Sequence, residues 1–130
     1  MCIFCKIVQG EIPCHKVYED DLLLVFLDIN PFTYGHMLII PKRHAADLSE
    51  LNEAELVAIL PLSQRLAADV RQKLGASGVN ILQNNGKDAG QVVFHYHMHL
   101  IPRFAGEKNN WQMAETNHEE LAKMVEILNS

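Results

Sequence analysis

Three histidines occupy alternate positions in one short apolar stretch, and this pattern constrains the fold more strongly than any other feature. His95, His97 and His99 alternate with hydrophobic residues. Because successive side chains of a β-strand point to opposite faces, the three imidazoles would share one face of a strand. A helix would scatter them around its axis. The other face would pack into a hydrophobic core, and its residues would be Phe94, Tyr96, Met98 and Leu100.

The composition limits the class of protein. The chain has 130 residues, 48% of them hydrophobic and 21% charged, which is typical of one globular domain. It contains no apolar run of about 18 residues and no secretory signal, so we expect no membrane partner. The net charge of −5 argues against a broad nucleic-acid-binding surface. Three cysteines, an odd number, argue against a disulfide framework and favour a reducing, cytoplasmic location.

Local patterns predict an α+β domain. Five strands are expected, over residues 16–19, 22–28, 36–40, 79–83 and 92–101. Asn52 and Glu55 stand at the spacing of a capping box, which begins a long helix. Gly75 is a typical helix stop, so this helix would end near Leu74. Shorter helical segments are expected at 3–8 and from a cap at Thr116 or Asn117 to Leu128. The result is a mostly antiparallel five-stranded sheet with the long helix packed on it and a helix at the C-terminus.

The histidines and an N-terminal cysteine pair carry the chemistry. Three imidazoles on one face can bind a metal ion or act as nucleophile and acid–base groups near neutral pH. The alternative is a set of solvent-facing histidines, which strict alternation disfavours. Cys2 and Cys5 form a C-x-x-C motif, which indicates a metal site or, alternatively, two small buried thiols. A tetrahedral zinc would need two more ligands, for which His44 and one of the alternating histidines are available. Cys14 has no partner at a useful spacing and is interpreted as structural.

A polar loop at residues 84–91 directly precedes the histidines. Its glycines would let backbone N–H groups approach an anion closely, although a plain hairpin loop has the same composition. The position beside the histidines favours a binding role. His36 follows Gly35 at the start of a strand, and taken alone it is more typical of a partly buried, hydrogen-bonded structural histidine.

The motif His-φ-His-φ-His-φ-φ, in which φ is apolar, stands at residues 95–101. Further matching segments occur in the order of one known family, at residues 2–7, 26–29, 35–44 and 90–94. With them the chain resembles the histidine triad (HIT) family of nucleotide hydrolases and transferases, in its zinc-containing, bacterial-type branch. The resemblance implies one HIT-like domain over 1–130, with a core at 2–103 and a C-terminal segment and helix at 104–130. It also implies a homodimer in which two five-stranded sheets join into one ten-stranded sheet.

The resemblance implies catalysis through a covalent nucleotidyl-histidine. His97 would attack the α-phosphorus of a nucleotide, and water would then release the mononucleotide. His99 would meet the phosphate oxygens, and His36 would be a supporting partner of the triad. The implied substrates are purine nucleoside phosphoramidates, adenylylated small molecules or dinucleoside polyphosphates. The implied substrate-binding residues are Phe4, Ile7, Phe26 and Ile29 around the base, Asp28 at the ribose, and Asn84, Gly90 and Gln91 on the phosphate or leaving-group side.

The same resemblance implies a structural zinc ion and no organic cofactor. Its ligands would be Cys2, Cys5, His44 and His95. Such closed coordination would leave no position for substrate, so the metal would anchor the N-terminal segment while His97 carries the chemistry. At one position the chain departs from the family, since Val92 stands where relatives often carry a Ser or Thr. A hydroxyl contact to the phosphate is lost or replaced there.

Two other functions agree with the same residues. One is a nucleotide-binding regulatory module with a structural zinc and little turnover. The other is a metallohydrolase that uses all three histidines of the motif as ligands of a catalytic metal. The second would leave Cys2, Cys5 and His44 unexplained.

Overall fold

Within residues 2–130, the part of the chain that the computed structural model describes, a five-stranded antiparallel sheet forms the centre of the molecule. The strands are β1 (Lys16–Glu19), β2 (Leu23–Leu27), β3 (Met37–Pro41), β4 (Gly78–Leu82) and β5 (Met98–Arg103). The helices are α1 (Ile3–Val8), α2 (Glu53–Leu74) and α3 (His118–Leu128). The strands lie in the order β1-β2-β3-β5-β4. The predicted α+β architecture is thereby confirmed.

The long helix α2 begins and ends at the residues that its sequence predicts. The Asn52 side chain accepts a hydrogen bond from the Glu55 N–H, and the Glu55 carboxylate accepts one from the Asn52 N–H. Gly75 ends the helix in the left-handed conformation at φ 79°. One face of α2 packs on the sheet through buried apolar side chains, which are Ile59, Leu62, Leu66 and Val70. No helix among residues 2–130 is both long enough and apolar enough to cross a membrane.

The C-terminal helix α3 packs into the same hydrophobic core as α2. Asn117 is its N-cap and accepts a hydrogen bond from the Glu120 N–H at 2.8 Å. Three apolar side chains of α3 are buried in this core, namely Leu121, Met124 and Leu128. The chain between β5 and α3, residues 104–117, forms neither strand nor helix. Its position therefore depends on contacts with the rest of the molecule.

The strand that carries the histidines begins later than the alternation predicts. β5 starts at Met98, so His99 alone of the three histidines lies in the strand. The reason is a long-range contact, because the Tyr96 N–H donates to the Ala45 carbonyl at 2.7 Å. Tyr96 and Met98 pack into the core with α2 as predicted. Phe94, predicted to be buried, is 47% exposed, since this part of the chain lies outside the sheet.

The sheet register places His99 at the centre of the fold, where it pairs with Leu38 of β3 and Leu82 of β4. The neighbouring strand β3 is preceded by a turn at Gly35, which has φ 89°. A side chain at this glycine would come within 2.5 Å of Leu74 Cδ1. This position needs glycine for its backbone conformation, and a Cβ here would also push the end of the Leu74 side chain aside.

Candidate active site and metal centre

A cavity of about 750 Å³ opens beside the histidines. Its lining residues include Phe4 and Ile7 of α1, Phe26, Asp28 and Ile29 of β2 and the following loop, His97 and His99, and Trp111, Gln112 and Met113. Among residues 2–130, Asp28 is the one residue with a carboxylate that lines the cavity, and no lysine or arginine lines the cavity. A concave, mostly apolar site with a few polar groups is typical of small-molecule binding.

His97 lies at this cavity with one ring nitrogen committed to the backbone. Its Nδ1 is 2.8 Å from the His95 carbonyl oxygen, so Nδ1 carries the proton and donates it. Burial lowers the pKa of His97 below its ordinary value, which favours the neutral ring at pH 7. The lone pair is then on Nε2. The edge of the Phe4 ring packs against the imidazole, with 5.2 Å between the ring centroids.

His36 and His99 form a hydrogen-bonded pair, and a backbone N–H group beside His36 determines the tautomer of both rings. The Phe32 N–H donates to His36 Nδ1 at 3.0 Å, so the proton of His36 is on Nε2. That nitrogen lies 3.0 Å from His99 Nδ1, which must accept. His99 then carries its own proton on Nε2. Burial lowers the pKa of both rings to about 4, outweighing the Asp28 carboxylate 3.6 Å from His36 Nε2.

The four predicted zinc ligands lie together. The ligand atoms of Cys2, Cys5, His44 and His95 are all within 4.8 Å of one another. The His95 Nε2–H donates to the Pro41 carbonyl at 2.7 Å, so the lone pair of its Nδ1 faces the sulfurs. That nitrogen is 3.3 Å from Cys2 Sγ and 3.5 Å from Cys5 Sγ. His44 Nδ1 is 3.6 Å and 3.3 Å from the same two atoms.

These distances fit a tetrahedral zinc ion with one adjustment. Zinc bond lengths imply about 3.5 Å between a sulfur and a nitrogen ligand and about 3.8 Å between two sulfurs. All four sulfur–nitrogen distances match, at 3.3–3.6 Å. Cys2 Sγ and Cys5 Sγ are closer, at 3.0 Å, and would separate when bound to the metal. Two thiols and two imidazoles with free lone pairs are a donor set that suits a closed zinc site.

The histidines of the motif face two different sites, which argues against the metallohydrolase hypothesis. His95 faces the cysteines, whereas His97 and His99 line the cavity. A second group, formed by Asp28, His36 and His99, has the spacing of a metal site. Its His36 Nε2 carries a proton, because Nδ1 already accepts from the backbone. In the described chain this group is therefore a hydrogen-bond network.

The residues expected on the phosphate side lie elsewhere. Asn84, Gly90 and Gln91 are absent from the lining of the cavity. The Gln91 side chain is 4% exposed and donates to the carbonyls of Ala46 at 2.6 Å and Val93 at 3.0 Å. Its own oxygen accepts from the Gly86 N–H. Both donors of this amide are used within residues 2–130, so Gln91 ties the loop to the histidine segment, while its contact with a phosphate stays a prediction.

Several cavity residues were missed by sequence reasoning. The wall formed by Trp111, Gln112 and Met113 lies in the irregular segment before α3, which has no local pattern that signals binding. Cys14, interpreted as structural, also lines the cavity. Val92 lines it too and is 84% exposed, so the position that departs from the family pattern faces the site.

Comparisons with known proteins agree on one family. The model of the HIT domain matches residues 9–106. The adenosine 5'-monophosphoramidase of Schizosaccharomyces pombe is 43% identical over 132 residues, covering 99% of this chain and 96% of that protein. An adenylylsulfatase of Arabidopsis thaliana is 46% identical over 102 residues, covering 78% of this chain and 52% of that protein.

The solved structures give the same result. The zinc-bound histidine triad family protein of Mycobacterium smegmatis superposes with a TM-score of 0.87 at 40% sequence identity. The match covers 98% of this chain and 93% of that chain. The likeness therefore extends over the C-terminal segment as well as the sheet.

Proposed function

The chain belongs to the HIT domain family, and from this premise we propose that it is a nucleotidyl hydrolase. Its substrates would be purine nucleoside phosphoramidates, adenylylated small molecules or dinucleoside polyphosphates, cleaved at the α-phosphate. The observation that carries the proposal is His97: a neutral imidazole whose Nδ1–H is held by a carbonyl, with Nε2 free. An unprotonated nitrogen beside a small-molecule cavity is a suitable nucleophile at pH 7. The names of two relatives, a monophosphoramidase and an adenylylsulfatase, support this reaction class.

In the proposed reaction His97 Nε2 attacks the α-phosphorus. A phosphorus–nitrogen bond forms while the bond to the leaving group breaks, and the leaving group departs with a proton taken from water. The His95 carbonyl stabilises the positive charge that develops on the ring, because it accepts from Nδ1–H. Water then attacks the phosphorus, the bond to Nε2 breaks and a proton is released. His97 returns to its neutral form and the mononucleotide leaves.

His99 supplies a directed hydrogen-bond donor in this scheme. Because His36 donates to His99 Nδ1, the Nε2–H of His99 is available to a phosphate oxygen. A neutral ring in a fixed tautomer needs no rearrangement when charge develops on the phosphate. His36 would therefore be a positioning residue, and its own position depends on the Phe32 N–H.

The nucleoside would occupy the apolar part of the cavity. Phe4 and Phe26 pack edge to face with 5.5 Å between centroids, and Ile7 and Ile29 line the same wall. These side chains are proposed to hold the purine. Asp28 is proposed to accept from the ribose hydroxyls, since it is the one carboxylate of the lining.

The charges of the cavity favour two of the three substrate classes. A dinucleoside polyphosphate would bring several negative charges, and no lysine or arginine of residues 2–130 lines the cavity. Val92 adds an apolar, exposed side chain where a hydroxyl would help to bind phosphate. We therefore expect phosphoramidates and adenylylated small molecules to be hydrolysed with higher kcat/KM than diadenosine polyphosphates, which a substrate panel would measure.

A structural zinc is proposed at Cys2, Cys5, His44 and His95. When bound, the metal would supply a cross-link between α1 and the segment that carries the triad, and no open coordination position. His95 would hold it through Nδ1, with Nε2–H on the Pro41 carbonyl fixing the tautomer. Metal analysis of the purified protein should give about one zinc per chain.

A homodimer is proposed through the β4 edge of the sheet, with residues 1–130 as one domain. β4 has a strand on one side only, so its other edge is open to a second copy. Beside it lies an exposed apolar strip on α2 and β4, formed by Leu56, Val57, Leu60 and Ile81. Joining two β4 edges would give the expected ten-stranded sheet and cover this strip.

A single-turnover experiment tests the enzymatic proposal. Wild-type protein is mixed with an adenosine phosphoramidate labelled at the α-phosphate and quenched within milliseconds to seconds. We expect a transient, acid-labile adduct on His97 that decays to AMP. His97→Ala should form no adduct and lose at least about a thousandfold in kcat/KM while still binding AMP. Tight AMP binding without an adduct or turnover in the wild type would instead support the regulatory module.

A further inference from the structure

A half-buried cation of the C-terminal half has no anionic partner among residues 2–130. Arg103 ends β5, and its Nε donates to Asn80 Oδ1 at 2.7 Å. Its Nη1 and Nη2 are buried and have no hydrogen-bond partner. Among residues 2–130, no carboxylate lies at ion-pair distance from it. Buried charged groups are normally paired, so these two nitrogens need an explanation.

The guanidinium faces an aromatic ring. Arg103 Cζ lies 4.8 Å from the centroid of the Trp111 ring, the arrangement of a cation–π interaction. Such an interaction is strongest where water is excluded, as it is around the Nη atoms. The indole face is thus the partner that takes the place of a carboxylate.

Trp111 has few other contacts that could fix it. It lies in the irregular segment 104–117 and is 50% exposed. Its second aromatic neighbour is Phe32, edge to face at 5.8 Å. Three residues later the Ala114 N–H donates to the Pro31 carbonyl at 2.6 Å. The hydrogen bonds next to Trp111, from the Asn110 and Gln112 N–H groups, stay within the segment itself, so the guanidinium and the Phe32 ring are the aromatic-type contacts that join the indole to the rest of residues 2–130.

The indole occupies one end of a continuous series of rings. Neighbouring centroids are 5.1–5.8 Å apart along Phe4, His97, His99, His36, Phe32 and Trp111. The proposed purine site is at the Phe4 end, and the attacking nitrogen lies between the two ends. Because Trp111 and His97 line one cavity, the indole is available to a leaving group bound there. Trp111, Gln112 and Met113 line the cavity there.

We propose that Arg103 is a positioning residue that holds the Trp111 ring, through its face, as the cavity wall against which the leaving group packs. Bulky, apolar leaving groups would gain from this wall, whereas ammonia would not. The statement about the leaving group rests on the proposed function, while the statement about the indole does not. Arg103 does not line the cavity and reaches it through Trp111. Besides burial, its charge also lowers the pKa of His36, so the selectivity between leaving groups, and not the overall rate, reports on the Trp111 wall.

The test uses Arg103→Met, with Arg65→Met as its matched control. Arg65 lies over the Tyr18 ring at 4.7 Å, a similar cation–π pair that does not line the cavity. Trp111 is the one tryptophan of the chain, so the intrinsic emission reports on this residue alone. We expect a red-shifted emission and stronger acrylamide quenching in Arg103→Met, no change in Arg65→Met, and partial recovery in Arg103→Lys. An unchanged emission in Arg103→Met would overturn the proposal.

Turnover gives the second readout. With an adenosine phosphoramidate of a bulky aromatic amine, Arg103→Met should lose about tenfold in kcat/KM, mainly through KM. With the ammonia phosphoramidate it should lose much less. Trp111→Leu should reproduce this selectivity, and adding Arg103→Met to it should have little further effect.

Equal losses on both substrates, or additive effects in the double variant, would contradict the role of Arg103. Circular dichroism would show whether Arg103→Met folds. If it does not fold, Trp111→Leu still provides the measurement of substrate selectivity, and Arg103→Lys still provides the measurement of Trp111 emission. If the wild type hydrolyses neither substrate, the proposed function fails, whereas the emission of Trp111 still decides whether Arg103 positions it.

Discussion

Three imidazoles at the two sites, those of His36, His95 and His97, each have one nitrogen bound to a backbone group, and this bond determines the role of the other nitrogen. His95 donates from Nε2 to Pro41 and offers Nδ1 to the cysteines. His97 donates from Nδ1 to the His95 carbonyl and keeps Nε2 free. His36 accepts at Nδ1 and donates from Nε2. Similar side chains thus acquire unequal chemistry from the carbonyl or amide beside them.

The buried pair of His36 and His99 predicts a loss of stability in acid. Their pKa values in the folded protein are about 4, below the ordinary 6.5. Between these values the unfolded chain binds protons that the folded protein excludes. The free energy of unfolding should therefore fall as the pH decreases from about 6.5 to about 4. In His36→Asn the slope should be shallower by up to about 1.4 kcal/mol per pH unit, the value for one proton. The free energy of unfolding would be measured with urea at several pH values in this range. The same dependence on pH in the wild type and in His36→Asn would refute the assignment.

At the scale of elements, α1 is a six-residue helix that carries part of the cavity wall. A helix this short is not stable alone, so it depends on the contacts of its ends. Its N-cap is Cys2, whose Sγ accepts from the Cys5 N–H at 3.1 Å and is part of the metal cluster. Phe4 and Ile7 of this helix line the cavity. The metal centre and the proposed purine site are thus connected through one turn and a half of helix.

Cys5→Ser should separate binding from chemistry. Losing one thiolate should reduce the zinc content below one per chain and loosen α1, and the affinity for AMP should fall about tenfold as contacts with Phe4 weaken. The rate of the chemical step in single turnover should change less than about threefold, because the bond between His97 and its carbonyl partner remains. Cys14→Ser is the control for zinc content alone, since Cys14 lies outside the metal cluster and should retain the zinc but lines the cavity. Equal losses in affinity and chemical rate would contradict this division.

Gly35→Ala should destabilise the fold at the entrance to β3. The residue has φ 89°, and a Cβ would lie 2.5 Å from Leu74 Cδ1, so we expect a loss of about 1–3 kcal/mol in urea unfolding. Gly10→Ala is the matched control. Its φ is 81°, but a Cβ there meets nothing within 4 Å, so it carries the backbone strain alone. If Gly35→Ala lost no more free energy of unfolding than Gly10→Ala, the contact with α2 would not contribute to the effect.

The boundaries of α2 were predictable because their causes are local. Asn52 and Glu55 bond to each other, and Gly75 supplies its own conformation. The start of β5 was not predictable, because the Tyr96 N–H bonds to a carbonyl 51 positions earlier, that of Ala45. Alternation alone cannot show that a strand-like segment leaves the sheet.

In the candidate site, too, features with local causes were predictable and features that depend on long-range contacts were not. The four predicted zinc ligands came from a short cysteine motif and the family resemblance, and their ligand atoms lie together. The internal hydrogen bonds of Gln91 were not predicted, because no local pattern links it to its partners Ala46 and Gly86. Trp111 was not assigned to the site because its ring packs against Arg103 and Phe32, which no local pattern links to it.

At the scale of the whole molecule, the two edges of the sheet differ. β1 and β4 are the edge strands. The β4 edge lies beside an apolar strip in which Val57 is 67% and Leu60 is 65% exposed. A row of exposed apolar side chains on a helix, next to an open strand, is typical of a surface covered by another chain.

Leu60→Glu should convert the proposed dimer into monomers, because it places a charge in the centre of the covered strip. Sedimentation velocity at micromolar concentration measures the outcome. Leu22→Glu is the control, because Leu22 is also partly exposed, at 37%, but precedes β2 near the opposite edge of the sheet. A wild type that sediments as a monomer would rule out the dimer.

The metal centre joins residues that the ribosome makes far apart in time. Cys2 and His95 are 93 positions apart, and both belong to the same four-ligand cluster. At a synthesis rate of roughly 5–20 residues per second, the cysteines wait about 5–20 s before the last ligand exists. During that interval two neighbouring thiols are exposed on a nascent chain without their imidazole partners. Loading of the proposed zinc ion would therefore be a late event in biogenesis, because it can be complete only after the histidine motif has been translated.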